Sequence, residues 1–291
     1  MERARRWMPY TTRVRWRLAA TLVVIALAAT AAAAQFQRRG GGRPGGFYSM
    51  RATRYATPED FDGSFQFCRI VYSEAANGDG GGWNVDWPRA DENLSIRLSE
   101  LTKTSVGMYS DNLPKHLLIN LRQPELFHCP FIMMTEVGRL SLNEQEAANL
   151  RAYLLKGGFL WADDFWGEYA WDFFEAQLRR ALPAGAYPII DLPLDHPLFH
   201  ELMAVDHVPQ IPSINAWGGP GGRTSERGAD SATPHARAIL DDKGRIMVFI
   251  THNTDFGDAF EREGDNHEYF IEFSVPGYAV GVNVLLYAMT H

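Results

Sequence analysis

Cysteine is scarce: Cys68 and Cys129 are the only two in 291 residues, too few for a disulfide framework or a cysteine-built metal cluster. They stand far apart in sequence, so two free thiols are expected. Positive charge is also short, with 28 Lys and Arg against 35 Asp and Glu and a formal net charge of -7. That balance excludes a nucleic-acid partner, which would require a basic face. The chain has no GK[ST] and no HExxH, and the glycine-bearing loop over residues 73–90 has no GxGxxG, so dinucleotide, P-loop and zinc-protease readings lose their motifs there. Internal repeats are missing too. The glycines of Asp79-Gly80-Gly81-Gly82-Trp83 therefore belong to a long loop, residues 73–90, and not to a phosphate cradle.

Hydrophobic residues are plentiful at 46%, enough for one large core. The eight Trp read first as large core residues. The opening stretch reads as a targeting segment. Arg3, Arg5, Arg6, Arg13, Arg15 and Arg17 form a basic leader before the uncharged run Leu18 to Ala34. Residues 1–34 are thus a signal peptide or, uncleaved, a membrane anchor. The domain is then exported, periplasmic or held outside the cytoplasm on the inner membrane, and it meets the membrane only through this segment. Residues 35–46 (QFQRRGGGRPGG) make a Gly/Arg linker without apolar period. A single α/β domain is expected over residues 47–291.

Within that domain apolar runs alternate with helical periods. Strands are expected at Phe65–Tyr72, Leu117–Leu121, Phe131–Met134, Gly158–Ala162, Tyr187–Asp191 and, as a hairpin, Ala236–Leu240 with Arg245–Ile250. Asp91 reads as the cap of a helix to Thr102, and Ser141-x-x-Glu144 as a capping box. Further helices are expected over Glu168–Ala181 and Gly277–Met289, with an irregular excursion at Leu192–Pro234. The order implies a mostly parallel open sheet with helices on both faces, flavodoxin-like in kind.

The blocks FLWADDFWGEYAW (159–171), LDHPLF (194–199), SERGADSATPH (225–235), THNTDFGDAFERE (251–263) and PGYAVGVNVLLYAMTH (276–291) carry a resemblance. Over Phe65–His291 the chain resembles the bacterial domain-of-unknown-function family DUF4159. The resemblance implies a fold like that of class I glutamine amidotransferases and trehalose-utilisation domains, and brings no activity with it. In the amidotransferase pattern a strand ends in Gly-x-Cys-x-Gly. Here the comparable elbow carries Asp163-Asp164 and neither Cys follows a glycine-flanked strand end. A carboxylate cannot supply the thioester route, so glutaminase chemistry is not expected.

Three strands should deliver polar residues at their carboxyl ends: Thr135-Glu136, Asp163-Asp164 and Thr251-His252-Asn253. In open α/β sheets ligands sit at that edge. The ligand-binding candidates are therefore Glu136, Asp163, Asp164, Trp166, Arg227, His252 and Asp255. No residue is assigned as catalytic. Trp166 could stack on a sugar, and Arg227 could pair with an acid or an anion. No cofactor is required, but a divalent metal is permitted, with Asp163, Asp164 and His252 as its ligands. Asp255, Asp258 and Glu261 lack EF-hand spacing and read as a solvated acidic turn. The function expected is binding of a small molecule or an envelope protein. The alternative is a hydrolase, metal-dependent or not, using Asp163/Asp164 and His252 on a carbohydrate or amide.

Overall fold

Nine strands and seven α-helices follow one another in a computed structural model that describes residues 54–291. The expected targeting segment, the linker and the first residues of the domain lie outside the described residues. In chain order the elements are β1 (Phe67–Ile70), β2 (Ser73–Glu74), α1 (Arg89–Leu101), β3 (His116–Ile119), β4 (Phe131–Thr135), β5 (Leu140–Ser141), α2 (Glu144–Leu155), β6 (Phe159–Asp163) and α3 (Gly167–Ala181). They continue with β7 (Ile190–Asp191), α4 (Ile214–Trp217), β8 (His235–Leu240), β9 (Ile246–His252), α5 (Phe256–Glu261), α6 (His267–Tyr269) and α7 (Val275–Thr290).

The seven-stranded sheet runs β3-β1-β4-β6-β9-β8-β7. Its first five strands are parallel; at one edge β8 runs antiparallel to β9, and β7 antiparallel to β8. Numbered among themselves, the parallel strands have the order 2-1-3-4-5, with the topological switch between β1 and β4. This is the mostly parallel α/β sheet that the alternation of patterns implied. Strand alternation divides the core into two layers. Leu160 and Ala162 of β6 pack with Leu150, Leu154, Phe174 and Leu178 of α2 and α3. Phe159 and Trp161 face the other way, onto Leu94 and Leu98 of α1, Phe260 of α5 and Val282 and Leu285 of α7.

Three local expectations are corrected. Asp91 does not cap α1: Pro88 occupies the cap position, and Asp91 lies inside the helix. Its carboxylate is buried against Arg69, a fully buried guanidinium on β1. The capping box of α2 is Asn143 with Glu146, two residues beyond the Ser141-x-x-Glu144 reading. Asn143 Oδ1 accepts from Glu146 N at 2.9 Å, and Glu146 Oε2 from Asn143 N at 2.9 Å. The cysteines are not free. Cys68 on β1 and Cys129 just ahead of β4 are disulfide-bonded, with a Cα–Cα distance of 6.2 Å. Sequence separation misled here, because β1 and β4 are neighbours in the sheet and the switch point brings their flanks within disulfide reach.

Candidate functional site

The carboxyl ends of β4, β6 and β9 lie side by side, and each strand breaks in the same unusual way. The residue after each one is Glu136, Asp164 or Asn253, with φ of 53°, 55° and 62°. Among the described residues only five that are not glycine have positive φ, the others being Asp86 (φ 61°) and Asn112. Four of the five gather at this edge. A left-handed non-glycine residue costs about 1–2 kcal/mol, so such a cluster marks this edge as the candidate site. The turn also takes each side chain out of the strand's alternation.

Asp163 and Asp164 have opposite circumstances despite being adjacent. Asp163 is fully buried and spent on its neighbours. Its Oδ1 accepts from the Thr251 hydroxyl at 2.5 Å, and its Oδ2 from the amides of Phe256 at 2.9 Å and Gly257 at 3.3 Å. It ties the turn after β9 to β6 and orients the start of α5. Burial pushes its carboxyl up to about 7 against the pull of those donors. Asp164 accepts from the Trp166 indole Nε1 at 3.0 Å. It does not cap α3: Gly167 N donates to Asn253 Oδ1 at 2.8 Å, and Glu168 N to Asp230 Oδ2 at 3.3 Å. With those amides served from elsewhere, the Asp164 carboxylate is left facing other acids. Burial, then Glu136, Asp86 and Asp163, push it well above the ordinary carboxyl range.

Glu136 lies at the switch point beneath the glycines of the loop after β1. A methyl carbon at Gly80 would overlap Glu136 Oε2, so only glycine lets this backbone approach the carboxylate. The amide of Gly81 holds the Glu136 charge, but burial outweighs it and raises the carboxyl to about 7. Tyr72 donates its hydroxyl to the Glu136 carbonyl at 2.8 Å and fixes the turn. Arg227 closes the same rim with two contacts of 2.9 Å to Asp79. Its partner is Asp79 of the glycine loop and not one of the candidate site acids. Trp166 is buried and bonded to Asp164, so it offers no exposed face to a sugar.

His252 does not join the carboxylates. Thr251 points to Asp163, so the next residue of β9 faces the other side of the sheet. There the His252 ring packs on Phe165 and Trp171. Nε2 meets the Gly167 carbonyl at 3.1 Å and Nδ1 meets Arg237 at 3.4 Å. Burial, with Arg237 and His235 nearby, lowers its pKa to about 4. The metal set Asp163, Asp164 and His252 is therefore not assembled.

Asp255 and Asp258 are buried, not a solvated turn. Asp255 Oδ1 caps α5 by accepting from Asp258 N at 2.7 Å. Asp258 accepts from Ile214 N at 2.6 Å and from Arg262 Nε at 3.3 Å. Together with Asp86 they present carboxylate oxygens that all lie within 4.8 Å of one another. Asp86 was not among the expected site residues. Its signal was position, since loops after the first strand of such a sheet border the site. A cavity of about 850 Å³ lies at the opposite end of the sheet, lined by Lys156, Gly157, Tyr187, Arg245 and Tyr287 among others. The amino ends of the strands hold neither the strained turns nor the acid cluster, so we place the site at the carboxyl edge.

The family described as a domain of unknown function, DUF4159, matches residues 66–289. The chain belongs to that family. The matched span runs from just before β1 to the end of α7 and contains every acid described above. No curated protein matches the chain.

Proposed function

We propose that this DUF4159 protein binds a small ligand bearing positive charge or several hydrogen-bond donors at the carboxyl edge of β4, β6 and β9. One observation carries the reading: three neighbouring strands each end in a left-handed non-glycine residue, and two of those three are acids that neither cap a helix nor form an ion pair at their carboxylates. Glu136 and Asp164 would face the ligand, and Gly78–Gly82 would act as its cover. Because that cover packs on Glu136, entry requires the loop to lift. Asp163 would hold the floor without touching the ligand.

An amidotransferase-like scaffold is supported by the parallel 2-1-3-4-5 order and by the turn into α3 after β6. Glutaminase action is not part of the proposal, since both sulfurs are joined in a disulfide. Export is supported by the same bond, because structural disulfides persist in oxidising compartments. A hydrolase is the second reading. It is favoured by Glu136, whose carboxyl at about 7 suits proton transfer near neutrality. In that case Glu136 and Asp164 would be the acid–base pair, and His252 would have no part.

A thermal-shift screen of polyamines, amino sugars, cationic amino acids and neutral sugars tests the proposal on the full chain. A hit should lose at least about tenfold in affinity in both Glu136→Gln and Asp164→Asn, the scale of about 1.4 kcal/mol or more for one charged contact. A hit that binds both variants as tightly as the parent removes this edge from the account.

A further inference from the structure

Asp86, Asp255 and Asp258 come from two separated stretches of chain, the loop before α1 and the turn into α5. The oxygens they offer lie within 4.8 Å of one another. Asp86 Oδ2 is buried and has no hydrogen-bond donor, and the whole residue is only 7% exposed. That oxygen faces Gly257, where a methyl carbon would collide with it, on the turn that carries Asp255 and Asp258. A buried carboxylate oxygen without a donor is costly unless a cation or a proton-bearing group meets it.

No nearby protein cation bonds to Asp86: Arg69 acts on it only through space, with its own Nη1 unbonded. Arg69 is bonded to Asp91 through both Nε and Nη2. Arg262 is shared among Asp258, Glu261 and Asp265. The three buried acids touch one guanidinium, that of Arg262, and Arg69 acts on Asp86 only at longer range. Oxygen-only ligands suit a hard cation. Two oxygens on opposite sides of a calcium ion are about 4.6–5.2 Å apart, against about 4.0–4.2 Å for magnesium. The three oxygens lie within 4.8 Å of one another, no farther apart than opposite ligands of a calcium ion.

We propose that Asp86, Asp255 and Asp258 form a site for a hard divalent cation of the calcium class that clamps the loop before α1 to the turn after β9. The site shares a rim with the proposed ligand edge but does not depend on it, because the ion alone is the probe.

The test uses the full-length chain stripped with EDTA and titrated separately with calcium, magnesium, manganese and zinc chlorides. One ion per chain is expected, and calcium at a hundredfold excess over its dissociation constant should raise the melting temperature by about 5–11 °C. Asp86→Asn should lose at least about tenfold in calcium affinity. The Oδ2 that this change replaces holds no protein partner, so the stripped variant should fold as the parent does, checked by far-ultraviolet circular dichroism. Asp206→Asn, on an exposed acid outside the cluster, should bind as the parent. If Asp86→Asn fails to fold, the parent's ion count and calcium-induced shift still decide. No ion bound at about 10 mM (roughly tenfold above the dissociation constant of the weakest extracellular calcium modules), or equal binding by a folded Asp86→Asn, would overturn the site.

Discussion

Reducing the Cys68–Cys129 bond should cost the domain a large part of its stability, and the amount follows from topology. The bond closes a loop of 61 residues. Loop-closure entropy for that length is about 14 cal/mol/K, or about 4 kcal/mol at 25 °C. A domain near 240 residues loses about 2–4 °C of melting temperature per kcal/mol, so reduction should lower the transition by roughly 8–16 °C. The loop spans α1 and β3 and ends at the two strands flanking the switch point, so its release loosens the ground under Glu136. The assay is guanidinium unfolding of oxidised and dithiothreitol-treated protein, with a thiol count on each. Comparing two redox states of one chain avoids the cavity that a Cys→Ala pair would leave. The reasoning fails if the oxidised protein already titrates two thiols. It fails equally if reduction is complete and the unfolding free energy moves by less than about 1 kcal/mol.

Asp91→Ala should destabilise by about 3–5 kcal/mol, because it strands the fully buried Arg69 without its carboxylate; an unfolding midpoint matching the parent would refute that pairing as structural. His252 should weaken the fold in acid. Its pKa falls from 6.5 to about 4 on folding, so the unfolded chain binds more protons between those values. Stability is therefore lost as pH drops from 6.5 to 4, by about 3 kcal/mol in all. The raised carboxyl of Glu136 acts in the opposite sense, being protonated in the folded state first. The quantity to measure is thus the difference between parent and His252→Gln unfolding profiles. It should shift by about 3 kcal/mol against the parent between pH 7 and pH 4, and parallel profiles would contradict it.

Alternation of strand and helix patterns identified the sheet and its central strand because burial on both faces leaves a compositional mark on each segment. Gly158–Ala162 carries no polar side chain, and the strand Phe159–Asp163 is enclosed by helices on both sides. Capping was misread twice for the same reason. Asp91 and Ser141 are residue types that cap, but Asp91 in α1 pairs with Arg69 of β1, and the box that forms lies two residues past Ser141. Local propensity cannot weigh a partner 22 residues away in sequence. The disulfide escaped notice on the same principle, since strand adjacency and not chain distance brought the cysteines together. Arg69 was the visible clue: a guanidinium inside an apolar strand demands a buried carboxylate somewhere.

The site was legible at the level of strand ends and illegible at the level of side-chain direction. His252 illustrates the limit. It stands one residue after Thr251, and Thr251 bonds to Asp163, so period-two alternation already sends His252 to the opposite layer. Asp164 stands one residue after Asp163 and by the same rule should have left its layer as well. It remains in the acid cluster because its backbone turns left-handed at that position, and alternation ends where the strand does. Glu136 and Asn253 turn in the same way. A residue at a strand's last ladder position thus obeys the sheet, while the residue after it obeys the turn. Of the three strand-end pairs, the turn residues are the ones to test for ligand contact, and the ladder residues are the ones to test for stability.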